Sequence, residues 1–347
     1  MKVYSKTKMK EIITKRIIGI EILRMILCFR IVLLHYYTGN NKFINKLRKN
    51  FFQVPCFFFI SFYFLCSIIS KKNISKMKLR LERLFIPYII YPIIIWVINN
   101  AMFSIINFNR FNRFLTLNEL KNQLIIARGI KGIRMLWFQF NLLILTFVFF
   151  ISSLILKTQF LLFFQIISLS SYIFQYSGIN YYFFTQYSSK VWMSVGNINE
   201  TLPIAVFAFT FSFNNTFLLI SKNHKTECVI FSIFFFSLLS YYNVFSNLIG
   251  FASPGFNPLM KSIFLFTIFY IIPFENINSK ILKCLNQITK YTQGIYCLHG
   301  SFMFYMKKNF DKKGSFFGCI ILYIISYFIS FIGFKTFYKN KLKYLFV

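Results

Sequence analysis

Residues 19–37 read GIEILRMILCFRIVLLHYY. The run has the length a helix needs to cross the apolar core of a bilayer, about 20 residues. Yet it carries Glu21, Arg24, Arg30 and His35. Ionisable groups at membrane depth are costly, and those that occur face a bundle interior or a water-filled cavity. Arg24 and His35 are eleven residues apart. At about 100° per residue this makes three turns with roughly 20° left over, so both share one helix face, roughly 16 Å apart along the axis. Glu21 lies one turn before Arg24 on that face, within pairing reach. Arg30 points elsewhere. The stretch reads as a span with an inward polar stripe, Glu21 and Arg24 near one end and His35 near the other. A plainer reading has Arg24 snorkelling, Glu21 neutralising it, and His35 sitting at the interface beside Tyr36 and Tyr37.

The rest of the chain supports the membrane assignment. Of 347 residues, 57% are hydrophobic, 51 are Phe and only 14% are charged, with a mean hydropathy of +0.59. Soluble domains carry about 25% charged residues. The fold class expected is an all-α integral membrane protein, a polytopic bundle of about ten helices without a separate soluble domain. Residues 1–347 form a single domain with spans near 17–37, 51–70, 84–106, 135–156, 158–176, 202–220, 228–248, 260–274, 291–306 and 316–335. No small-residue cleavage site follows the first run, which is expected to stay as a helix.

The chain holds 40 Lys and Arg against 8 Asp and Glu, a formal charge of +32. In a soluble protein that excess suggests nucleic acid. Here the basic residues alternate with apolar runs, which points to anionic lipid headgroups instead and to no nucleic-acid partner. Basic residues crowd the N-terminal tail, the connection Lys71–Arg83 and the tail after the last span. The positive-inside rule then puts both termini in the cytoplasm. The seven Cys lie mostly within apolar runs, with neither metal-ligand spacing nor a disulfide pattern, so no metal is expected.

Two further features carry chemistry. His35 is one of only three His, and His is the usual general base. Arg80 and Arg83 are spaced i, i+3, so both can face one anion; on charge alone they read equally as topology anchors.

Here the residues resemble a known family. Glu21, Arg24 and His35 are similar to the opening helix of the membrane acyltransferase type 3 family, which has an acid, two residues, Arg, ten residues and His. Glu21 stands where the family more often has Asp. KLRLERLFIPY supplies an Arg-x-x-Arg in Arg80 and Arg83, followed by Pro87. VPCFFFISFYFL resembles the second helix, with Ser61 present and Phe62 in place of the usual Gly. LWFQF, with Trp137, resembles the start of the fourth helix, and GIYCLHGSF, with Tyr296 and His299, a Tyr-x-x-His near the ninth. Residues 157–290 match only in hydropathy and in the Glu200–Pro203 patch.

The resemblance implies an O-acyltransferase, in most members an O-acetyltransferase, in a bacterial plasma membrane. It would move an acyl group from cytoplasmic acyl-coenzyme A (acetyl-CoA) to a hydroxyl of a cell-surface or lipid-linked carbohydrate. The coenzyme is donor substrate, not a resident cofactor. It implies His35, Arg24 and Glu21 as catalytic, Arg80, Arg83 and Trp137 at the donor, and Ser61, Tyr296 and His299 as further candidates. Direct transfer and an acetyl-His relay both fit. A polymerase, a flippase, a transporter and an inactive member, given Glu21 and Phe62, stay as alternatives. His299, followed by Gly300, fits buried hydrogen bonding as well as catalysis; Trp137 also fits an interfacial belt.

Overall fold

A computed structural model describes residues 6–47, 54–106, 114–127, 136–156, 159–176, 190–216, 220, 223–242, 256–272, 278–309 and 314–345, and all regular structure among them is helical. In a bilayer every backbone N–H and C=O needs a partner within the protein, and a helix supplies them within one segment. Ten helices follow the ten apolar runs: α1 (Lys6–Tyr36), α3 (Pro55–Ser70), α4 (Ile74–Ile106), α6 (Leu136–Leu156), α7 (Phe160–Tyr176), α8 (Lys190–Phe213), α9 (Lys225–Tyr242), α10 (Phe256–Ile271), α12 (Thr292–Asn309) and α13 (Phe316–Thr336). Three short helices join them: α2 (Lys42–Lys46), α5 (Leu117–Ile126) and α11 (Ser279–Lys290). A 3₁₀ turn, Lys341–Leu345, follows α13. Among the described residues, Ile74–Ala101, Leu136–Leu156 and Phe316–Thr336 are long and apolar enough to cross a membrane on their own. The protein is an integral membrane protein, all-helical among the described residues.

Local chemistry sets several helix ends. Thr116 and Glu119 form a reciprocal capping box at the start of α5. Asn278 caps α11 and Ser315 caps α13 through their side-chain oxygens. Pro55 opens α3, where its missing N–H costs no hydrogen bond. Pro87 and Pro92 lie inside α4. Gly314, ahead of α13, has φ +58° and accepts the Thr38 N–H at 3.1 Å. A Cβ at that position would collide with the Tyr36 carbonyl.

Aromatic side chains fill the core. α3 packs on α8, α10 and α6, and α1 packs on α10, α12, α11 and α13. Phe58, Phe59, Phe62, Phe149, Phe209 and Phe266 are fully buried among these helices. Phe62, where the resemblance would place a glycine, meets Phe149 with ring centroids 5.6 Å apart and Phe209 at 6.4 Å. The volume that a glycine would leave to a neighbouring backbone is occupied here by a ring.

Two features differ from the sequence reading. The connection Lys71–Arg83 is not a loop: α4 starts at Ile74, so Arg80 and Arg83 project from a helix. The N-terminal basic tail is helical from Lys6. Both follow from the same cause. Lys, Arg and Glu are good helix formers, and a hydropathy window ends a span where charge begins although the helix continues.

Candidate active site

The second half of α1 and α12 run in the same direction and pack together. Past the middle of α1 and at the start of α12, Arg24 Nη2 donates to Thr292 Oγ1 at 3.2 Å, and Cys28 Sγ approaches the Thr292 carbonyl at 3.5 Å. Toward their far ends the His35 and His299 rings stack, and Lys307 Nζ donates to the His35 carbonyl at 3.3 Å. The polar stripe deduced for α1 therefore faces α12, and its two ends are built into different surroundings.

The Arg24 end opens on a cavity of about 500 Å³. Its walls include Glu21, Arg24, Ser61, Arg80, Arg83 and Tyr296, six of the nine residues singled out in the sequence. Arg24 Nη1 donates to both oxygens of Glu21 at 3.1 Å. One turn of spacing makes this pair, and the Thr292 hydroxyl holds the other guanidinium nitrogen. Arg80 reaches across from α4 to α3: its Nη2 donates to Ser61 Oγ at 2.6 Å and to the Ser61 carbonyl at 3.2 Å. Arg83 stands at the rim, exposed, with its backbone carbonyl accepting from Gln293 Nε2 at 2.9 Å. With Lys76, the lining carries four cations against the single carboxylate of Glu21. Such a cavity selects an anion, and bidentate-capable guanidinium groups favour phosphate or carboxylate.

The sequence reading missed Lys76, Phe138, Gln139, Thr292 and Gln293, which also line the cavity beside apolar side chains such as Phe57, Ile60 and Leu142. Gln139 Nε2 donates to the Leu84 carbonyl at 2.9 Å, and Cys297 Sγ donates to Gln139 Oε1 at 3.6 Å. Gln139 sits within LWFQF and Thr292 just ahead of GIYCLH, so the segments were recognised and these members passed over. Trp137 is not among the lining residues. It packs between the rings of Phe58, at 5.8 Å, and Phe138, at 6.4 Å, and the cavity wall is formed by Phe138 and Gln139 instead.

His35 and His299 lie outside the cavity, connected to it by a file of rings. Phe138 and Tyr296 in the wall are 5.4 Å apart between centroids. Tyr296 is 6.0 Å from His299, and His299 is 5.5 Å from His35. His299 is fully buried, while His35 is exposed. His299 Nδ1 lies 3.2 Å from the Ile295 carbonyl. A carbonyl only accepts, so Nδ1 carries the hydrogen. Arg30, which the helical wheel turned away from Arg24, is buried in α1 at 7% exposure.

A family model described as an acyltransferase domain, that of the type 3 enzymes, matches residues 17–339. The chain belongs to the membrane acyltransferase type 3 family. No curated protein and no solved structure matches it. The matched span takes in every residue of this acyltransferase's cavity and the His35–His299 pair. Part of the N-terminal helical segment and the whole 3₁₀ turn, Lys341–Leu345, fall outside it.

Proposed function

We propose that this acyltransferase is an O-acetyltransferase that uses cytoplasmic acetyl-coenzyme A as donor and a hydroxyl of a cell-surface or lipid-linked carbohydrate as acceptor. The observation that carries this reading is the cationic cavity, joined through Tyr296 and His299 to His35. The donor's phosphates would meet Arg80, Arg83 and Lys76, and its pantetheine arm would extend along the ring file toward the far end of α1. His35 then takes the proton of the acceptor hydroxyl as that oxygen attacks the thioester carbonyl. The tetrahedral oxyanion collapses with expulsion of the coenzyme A thiolate, which takes up a proton. The products are the ester and free thiol. Arg24 orients the donor end of the arm, and Glu21 fixes the Arg24 guanidinium.

In the bilayer, the ten helices would alternate in direction with both termini in the cytoplasm, on the face that holds Arg24, Arg80 and Arg83. That is the face where a cytoplasmic donor arrives. Reporter fusions at each end and in the Ser70–Ile74 turn test the orientation; an extracytoplasmic turn there overturns the donor assignment.

The decisive experiment follows acyl transfer in proteoliposomes. Labelled acetyl-coenzyme A is supplied on one side and the acetyl content of surface glycan, or of extracted lipid-linked glycan, is measured. Label that reaches carbohydrate in the wild type and not in His35→Ala supports the reading. Tight binding of coenzyme A without transfer to any carbohydrate would leave the family but remove the acceptor.

A further inference from the structure

We propose that the segment Lys341–Leu345 is a positioning element of the donor site, holding Arg83 and the wall behind Tyr296 so that an anionic donor finds them in place. This rests on the reading of the cavity as the donor site.

After α13 the chain reverses, with the Asn340 N–H donating to the Phe337 carbonyl at 2.8 Å, and the 3₁₀ turn then lies against α4. Three contacts fix it there. Lys341 Nζ donates to Glu82 Oε1 at 2.8 Å. The Arg83 guanidinium stands over the Tyr344 ring, 5.7 Å from its centroid. Tyr91 Oη donates to the Leu345 carbonyl at 2.5 Å. The side chains go inward: Tyr344 is 8% exposed and Leu345 4%. Leu345 joins a buried cluster with Tyr88, Tyr91, Leu136 and Cys297, and Leu342 and Tyr296 pack against it.

These contacts bear on two cavity residues from behind. Arg83 is held by its backbone through Gln293 and by its guanidinium group over the Tyr344 ring. A cation–π contact restricts where the guanidinium can stand without using any of its N–H groups, which stay available to an anion. Tyr296 is backed by the cluster that Leu345 completes. Lys341 also neutralises Glu82, which stands between the two arginines in sequence. The hydrogen bond that Lys341 donates to Glu82 raises the pKa of its ammonium. The exposed ion pair alone is a weak hold, so Tyr344 and Leu345 carry the effect.

The test is equilibrium binding of coenzyme A to the full-length protein in nanodiscs. Tyr344→Leu, which removes the ring face, is expected to raise Kd about threefold to tenfold, the range of a single cation–π contact. Tyr344→Phe, which keeps the ring, is expected to restore the wild-type value. Tyr344→Met replaces the leucine variant if that one unfolds. Arg83→Ala serves as the reference: combined with it, Tyr344→Leu should add no further loss. If Tyr344→Leu binds like the wild type while Arg83→Ala binds weakly, the positioning role is overturned and the donor site stands. If the two losses add in full, Tyr344 acts elsewhere and the proposal is likewise overturned. If neither substitution changes Kd, the donor reading itself falls.

Discussion

His35 stacks on His299 with ring centroids 5.5 Å apart and planes inclined by 29°. One imidazole is exposed and the other fully buried, so the pair joins the outer end of α1 to the interior of the bundle. The hydrogen on His299 Nδ1, fixed by the Ile295 carbonyl, holds that ring in one orientation and with it the stack. His35→Ala is expected to lower the turnover of acetyl transfer by about 10²–10⁴-fold, the usual contribution of a general base. Coenzyme A affinity should not change, because the cation cluster lies at the other end. His299→Leu should cost up to about tenfold in turnover, in keeping with aromatic pairs of 0.5–1.5 kcal/mol. His299→Phe should recover part of that. Normal acetylation by His35→Ala would remove the base assignment.

Arg80 crosses between two helices to meet Ser61. Hydrogen bonds to charged groups contribute about 1.5–3 kcal/mol. Arg80→Ala is therefore expected to weaken coenzyme A binding by about tenfold or more, read by titration in detergent or nanodiscs. Ser61→Ala should do less, since the Ser61 carbonyl still receives the guanidinium at 3.2 Å. A serine variant as damaged as the arginine variant would instead make Ser61 a direct ligand.

Glu21 and Arg24 should behave as a coupled pair. Arg24→Gln deprives a half-buried carboxylate of its cationic partner, and that is the more damaging half of the pair to lose. The double variant Glu21→Gln, Arg24→Gln should be more stable than Arg24→Gln alone. The interaction energy from thermal unfolding of the four proteins should lie within about 0.5–3 kcal/mol. Additive losses would mean that the two side chains act independently.

Phe62 marks a departure that the structure explains by packing. The ring is fully buried among Phe58, Phe149 and Phe209. Phe62→Gly, the change toward the family's usual residue, is expected to destabilise the bundle by about 3–5 kcal/mol, as other large-to-small core substitutions do. A lower midpoint of thermal inactivation in matched detergent checks this. An unchanged midpoint would show that the neighbouring rings close the gap.

Hydropathy made the all-helical membrane class legible, with three described helices long and apolar enough to span, and helical periodicity made the Glu21–Arg24 pair legible. Those features depend on local spacing, which a sequence displays. The Ser61–Arg80 contact was not legible as a contact, although both residues were singled out, because it joins two helices through side chains of ordinary appearance. α5 and α11 escaped for a different reason: each is too short and too polar for a hydropathy window, and α11 is held by its packing on α1. Leu345 gave no sign at all. What ties it to Tyr91 is a backbone carbonyl, which every residue possesses. The placement of Trp137 away from the cavity also rests on tertiary detail, since one step along α6 separates it from the lining Phe138.

Both ends of the candidate chemistry are mounted on the uninterrupted helix α1, with Arg24 in the cavity wall and His35 against the buried ring of α12. The peptide between them acts as a fixed gauge. Substituting any of the ten intervening residues changes surface but not spacing. Inserting or deleting one swings His35 by about 100° away from His299 and shifts it by about 1.5 Å. Divergence in this stretch is thus open to amino-acid exchange and closed to change of length.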